Sequence, residues 1–107
     1  MLEWCERTQL HVAGLDRDRF VANPTVVDTT TKSVENIGEG AKRIMTAFPD
    51  LDGERPDLLL RSAYRMRNRL APGYDRVNLD VLWNTATKIV PEHARVLRGF
   101  RHELTSQ

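Results

Sequence analysis

Apolar positions along the chain recur at intervals of three, four and seven, the spacing of one helix face, and strand-type alternation is scarce. Leu2 to Val12 can form a short amphipathic helix, with Gly14 as its stop. Asp16 starts a short turn of helix that carries Phe20. Asn23-Pro24 marks a helix start, because Asn caps well and Pro at the first helical position gives up an N–H that would go unpaired there. Beyond it, Val27, Val34, Ala41 and Phe48 recur every seven residues, and Ile37 and Ile44 share the period, giving a core-facing seam of bundle type. Gly38 and Gly40 lie inside this helix at a cost of roughly 1 kcal/mol each, which predicts close approach of a neighbouring helix.

Pro49 to Pro56 reads as a polar loop, and Asp57 as the cap of a third helix with Leu59, Ala63, Met66 and Leu70 on its apolar face. Pro72-Gly73 breaks the chain. Asn78 caps a last helix striped by Leu79, Leu82, Ala86 and Ile89, then by Val96, Leu97, Phe100 and Leu104, with a kink expected at Pro91. The sum is an all-α fold: an antiparallel four-helix up-down bundle with a kinked last helix, a single domain over residues 1–107.

Composition excludes several classes. Hydrophobic residues are 40% and charged residues 29%, an ordinary globular balance. No apolar run approaches the ~18 residues of a membrane span, and the first residues lack the basic-then-apolar pattern of a secretory leader. The lone cysteine, Cys5, forms no disulfide framework and reads as a half-buried helix thiol, so a cytoplasmic setting is expected. No P-loop, GxGxxG, HExxH or zinc-type Cys/His spacing occurs, so neither metal nor cofactor is implied, and Ser33 and Ser62 have no histidine partner visible in sequence.

Net charge is +1, so any nucleic-acid contact must be local. Between Arg61 and Arg76 stand five arginines and one acid, Asp75. At 100° per residue Arg61, Arg65 and Arg69 share a face opposite the apolar stripe, either a solvated face or a strip for RNA phosphates. Arg67 falls on the shoulder of the stripe, near Leu60. A guanidinium there is partly buried, and it either serves a function or pairs with an acid such as Glu39 or Asp80.

The stretch Met66-Arg67-Asn68-Arg69-Leu70-Ala71-Pro72-Gly73-Tyr74 resembles the signature of HepT-like proteins of the HEPN class, in which arginine and a polar residue are followed by histidine, one residue and tyrosine. Glu35-Asn36-Ile37-Gly38-Glu39-Gly40-Ala41-Lys42-Arg43 is similar to the family's second-helix motif, and Val77-Asn78-Leu79-Asp80-Val81-Leu82-Trp83 to the start of its fourth helix. The likeness runs from about Leu2 to Leu104. It implies a HEPN-like bundle that forms a homodimer with two motifs facing each other. It implies a metal-independent endoribonuclease toxin, paired with a minimal nucleotidyltransferase antitoxin that attaches AMP to the motif tyrosine.

Carried over residue by residue, Arg67 and Asn68 match catalytic positions, Pro72 occupies the family's histidine position and Tyr74 is the modified tyrosine. Arg65 and Arg69 are candidate RNA contacts. Cleavage without a metal needs a group to move a proton at the 2′-hydroxyl or the leaving oxygen, and histidine suits that work. Proline has no titratable group, and His11, His93 and His102 all lie outside the motif. Three readings stay open: an endoribonuclease with a borrowed acid–base group, a non-catalytic homologue that binds its nucleotidyltransferase partner, RNA or nucleotide, and a plain helical oligomerisation module.

Overall fold

The computed structural model describes residues 1–70 and 78–106, the side chains of residues 68–70 excepted. Its elements are α1 (Leu2–Val12), α2 (Arg17–Val21), α3 (Pro24–Ala47), α4 (Leu51–Glu54), a 3₁₀ turn (Pro56–Leu58), α5 (Leu60–Leu70), α6 (Leu79–Asn84), a π turn (Thr85–Ile89) and α7 (Val90–Thr105). Among the described residues there is no strand. The fold is an all-α bundle.

Helix α3 is its centre, with α1 on one side and α5 on the other. Both neighbours run antiparallel to it. Met1 lies against Gly40 while His11 meets Ser33. Arg67 meets Glu39 while Lys42 stands over Tyr64. Helix α7 covers the other side of α1. The core between them is built from Val34, Ile37 and Ala41 of α3, Ala63 and Met66 of α5, and Leu82, Ala86, Val90, Ala94 and Leu97 of the last helical run. Phe20, fully buried on α2, stacks at 5.1 Å on Trp83 of α6 and closes one end.

The helix ends follow local chemistry. The side chains of Asp16, Asn23 and Asn78 accept hydrogen bonds from the backbone N–H groups of Arg19, Val26 and Val81, three residues on. Gly14 adopts φ +76, which lets the chain turn sharply out of α1.

Several expectations need correction. Residues 49–56 are not an unstructured loop, since α4 forms within them. The third helix starts at Leu60, not at Asp57. Leu59 takes a left-handed conformation (φ 57) outside the helix, and buried Leu60 holds the core position expected of it. Asp57 is drawn to Arg55 instead (3.0 Å), and that hydrogen-bonded guanidinium holds its carboxyl below the ordinary value. Phe48 and Leu104, at the ends of their stripes, run past the neighbouring helices and are 62% and 57% exposed. Cys5 is fully buried rather than half-buried, and burial pushes its thiol from the ordinary 9.0 up to about 11.

Near Pro91 the last helix widens. Val90 N–H bonds to Thr85 O, five residues back, and helical dihedrals continue on both sides. A proline ring crowds the carbonyl four residues before it and offers no N–H. A wider turn at that point relieves the conflict.

Candidate functional site

Three residues, Gly38, Ala63 and Glu39, decide the geometry around Arg67. Helices α3 and α5 touch most closely at Gly38, where a Cβ atom would stand 3.0 Å from Arg67 Cβ and 3.3 Å from the Ala63 carbonyl oxygen. The absent side chain lets the backbones approach and sets the root of Arg67 against α3. One residue along, Glu39 reaches over the contact, and its carboxylate pairs with the Arg67 guanidinium. Arg67 and Glu39 keep 40% and 39% of their side-chain exposure. The cation is therefore positioned by its acid while still facing solvent.

Of the two acids weighed for Arg67, Glu39 is the partner. Asp80 is taken by Arg17, whose Nε lies 2.7 Å away. The other arginines divide. Arg61 bonds to Asp52 at 3.2 Å. Arg65 is exposed and lines a groove of about 180 Å³ with Arg61, Ser62, Met66 and Ile89, beside the π turn. Two residues apart on a helix, Arg65 and Arg67 point about 200° from each other. The structure therefore does not bring them together. Asn68 and Arg69 stand on the last turn of α5, with side chains outside the description. Pro72 and Tyr74 lie outside the described residues.

The histidines are apart from this corner. His93 is buried on α7, its Nδ1 3.0 Å from the Ile89 carbonyl oxygen, and its Nε2 has no partner among the described residues. His102 is exposed near the end of α7. His11 corrects an expectation: its Nε2 is 3.1 Å from Ser33 Oγ, so Ser33 does have a histidine neighbour. The 22-residue separation hid the pair, which only the antiparallel register of α1 on α3 creates. Among the described residues no group of three or more His, Cys, Asp or Glu could hold a metal ion, and no helix is long and apolar enough to cross a membrane.

The all-helical bundle and the close helix approach at Gly38 are what the sequence anticipates, and the Arg67–Glu39 pair is the alternative it set beside a functional role for Arg67. The chain belongs to the HepT-like family, described as ribonuclease HepT-like, which it matches over residues 1–99. It is also similar to a protein of Caldanaerobacter subterraneus subsp. tengcongensis named "Putative RNase TTE0752", with 29% identity over 92 residues that cover 86% of this chain and 80% of the relative. No solved structure matches.

Proposed function

We propose that this chain is a cytoplasmic, toxin-type HepT-like protein, a single domain that works as a homodimer beside a minimal nucleotidyltransferase antitoxin. Its RNA site centres on Arg67. The observation that carries this reading is the exposure that Arg67 keeps, 40% at a close helix contact, even though it pairs with Glu39, the alternative that the sequence set beside a functional role. A guanidinium so placed is suited to the charge of a phosphate or of a phosphorane-like transition state.

In this reading Asn68 orients the phosphate or Arg67, Arg65 and Arg69 extend the contact to RNA, and the hydroxyl of the motif tyrosine Tyr74 accepts AMP from a nucleoside triphosphate bound by the antitoxin, with pyrophosphate leaving. Family membership and the relative named as an RNase support ribonuclease chemistry. Pro72 supplies no proton, and general acid–base help is worth about 10²–10⁴-fold, so the native chain is a slow or silent nuclease that still binds RNA. Pro72 also favours the second reading, a non-catalytic homologue that acts through its partner and RNA.

The test is cleavage of a labelled RNA, with chelator present, by the native chain and by Pro72→His. Cleavage by the variant alone supports a nuclease scaffold disabled at one position. Cleavage by both assigns proton transfer to another residue and refutes the role given to Pro72. If neither cuts, the nuclease reading falls and the non-catalytic one stands.

A further inference from the structure

On the far side of α1 from α7, the α1/α3 face holds a second convergence of polar side chains. Trp4, Arg7 and His11 are spaced along one face of α1, and Asp28, Lys32 and Ser33 come from the facing turns of α3. Together they line an open depression of about 420 Å³, within the range of small-ligand sites. Buried Ser33 sits at its floor, and its Oγ holds the His11 ring at 3.1 Å. The Arg7 guanidinium carbon lies 4.6 Å from the centroid of the half-buried Trp4 ring. From Ser33 to Gly38 the helix turns about 140° and rises about 7.5 Å, so this depression faces a different direction from Arg67.

We infer that this depression binds a nucleoside monophosphate unit, either free or as one residue of an RNA strand. The chemistry is complementary in each part. The Arg7 guanidinium covers the indole in the free chain, and its shift onto a phosphate uncovers that face as a stacking surface for a base, worth about 1–3 kcal/mol per base in single-strand binders. Arg7 and Lys32 both line the depression and bring two positive charges that suit a phosphate. Arg7 also pairs with Glu3 at 2.8 Å, and Lys32 lies 3.9 Å from Glu35. Exposed pairs of this kind hold weakly and yield to a phosphate. His11 and Asp28 offer hydrogen-bonding groups for ribose hydroxyls or base edges. This site stands apart from the Arg67 reading and does not depend on it.

The test uses the full chain carrying Trp83→Phe, so that Trp4 alone reports by fluorescence. AMP, UMP, adenosine and a short single-stranded RNA are titrated in turn. Saturable quenching by a monophosphate or by the RNA is expected, weakened about tenfold or more by Arg7→Ala and by Lys32→Ala and unchanged by Arg101→Ala at an exposed position of α7, with adenosine weaker than AMP. Response to the free monophosphates identifies a soluble nucleotide as the source. Response to RNA alone, with the same dependence on Arg7 and Lys32, identifies a strand residue. Absence of saturable binding up to about 10 mM for every probe overturns the proposal. So does binding that ignores Arg7 and Lys32, or binding that Arg101→Ala weakens to the same extent. Circular dichroism of the variants, all at exposed or half-exposed positions, checks that each is folded.

Discussion

Replacing Glu39 with glutamine releases the Arg67 guanidinium from its carboxylate while keeping the length of the side chain that crosses the α3–α5 contact. The perturbation isolates one charge. At ~4 Å a unit-charge pair is worth about 1 kcal/mol in bulk water and about 4 kcal/mol at an effective dielectric near 20. With both side chains about two-fifths exposed, solvent screening brings the usable value down to about 0.5–1 kcal/mol. A phosphate that no longer competes with Glu39 therefore binds about two- to fivefold more tightly. Arg67→Ala acts in the opposite sense. It weakens single-stranded RNA binding, and it lowers the slope of log K against log salt by about 0.7, the share of one phosphate contact. Fluorescence anisotropy of a labelled RNA between about 50 and 200 mM salt reads both quantities. A purely structural ion pair would move the melting temperature of both variants and leave the slope alone. If Arg67→Ala keeps the native slope and Glu39→Gln keeps the native affinity, Arg67 does not touch phosphate, and the site assignment is wrong.

Gly38→Ala must push α5 away from α3 against a 3.0 Å contact. Overpacking of about 1–3 kcal/mol, less about 1 kcal/mol of helix propensity regained, leaves a net loss near 1 kcal/mol, seen as a lower urea midpoint at unchanged m. Gly99→Ala, where an added Cβ meets nothing within 4 Å, raises the midpoint by the propensity gain alone, and a loss there would contradict the open surroundings of Gly99. Asn23→Ala removes the bond to Val26 N–H and costs about 1 kcal/mol in the same assay, whereas an unchanged midpoint would remove the cap from the account. Cys5 resists alkylation at pH 8 and reacts freely once the chain is unfolded. Its folded pKa is raised, so its contribution to stability is complete below about 9 and is lost as the pH climbs from there toward 11. Rapid labelling of the native protein at pH 8 would contradict the burial.

The helical fold was legible because apolar spacing and capping residues agree. Asn23, Asn78, Asp16 and Gly14 all act where local chemistry put them. Gly38 was legible as a close approach for the same reason, since a helix interior tolerates glycine readily when a neighbour needs the space. Leu59 and Leu60 were not separable, because a one-residue shift of a helix start preserves the stripe and only backbone conformation chooses between them. The partner of Arg67 narrowed to two acids in sequence. The choice rested on where Arg17 reached, a tertiary fact. His11 and Ser33 carried no local signal at all, because nothing in either segment fixes the register of α1 against α3.

The widened turn before Pro91 sets the rotational phase of everything after it. Leu82, Ala86, Val90 and Ala94 are all fully buried at successive steps of four. In an unbroken α-helix those three steps would drift about 120° around the axis, carrying Ala94 toward solvent. One extra residue absorbed at Thr85–Ile89 trims the drift to about 20°, so both halves of the helix present one continuous strip to the bundle. Deleting a single residue from that turn would leave a regular helix and a good local sequence. It would keep Val90, Ala94 and Leu97 in register, whereas closing the turn into a regular helix with all its residues kept would rotate them by about 100°. The irregular turn is thus what keeps this sequence in step with its own core.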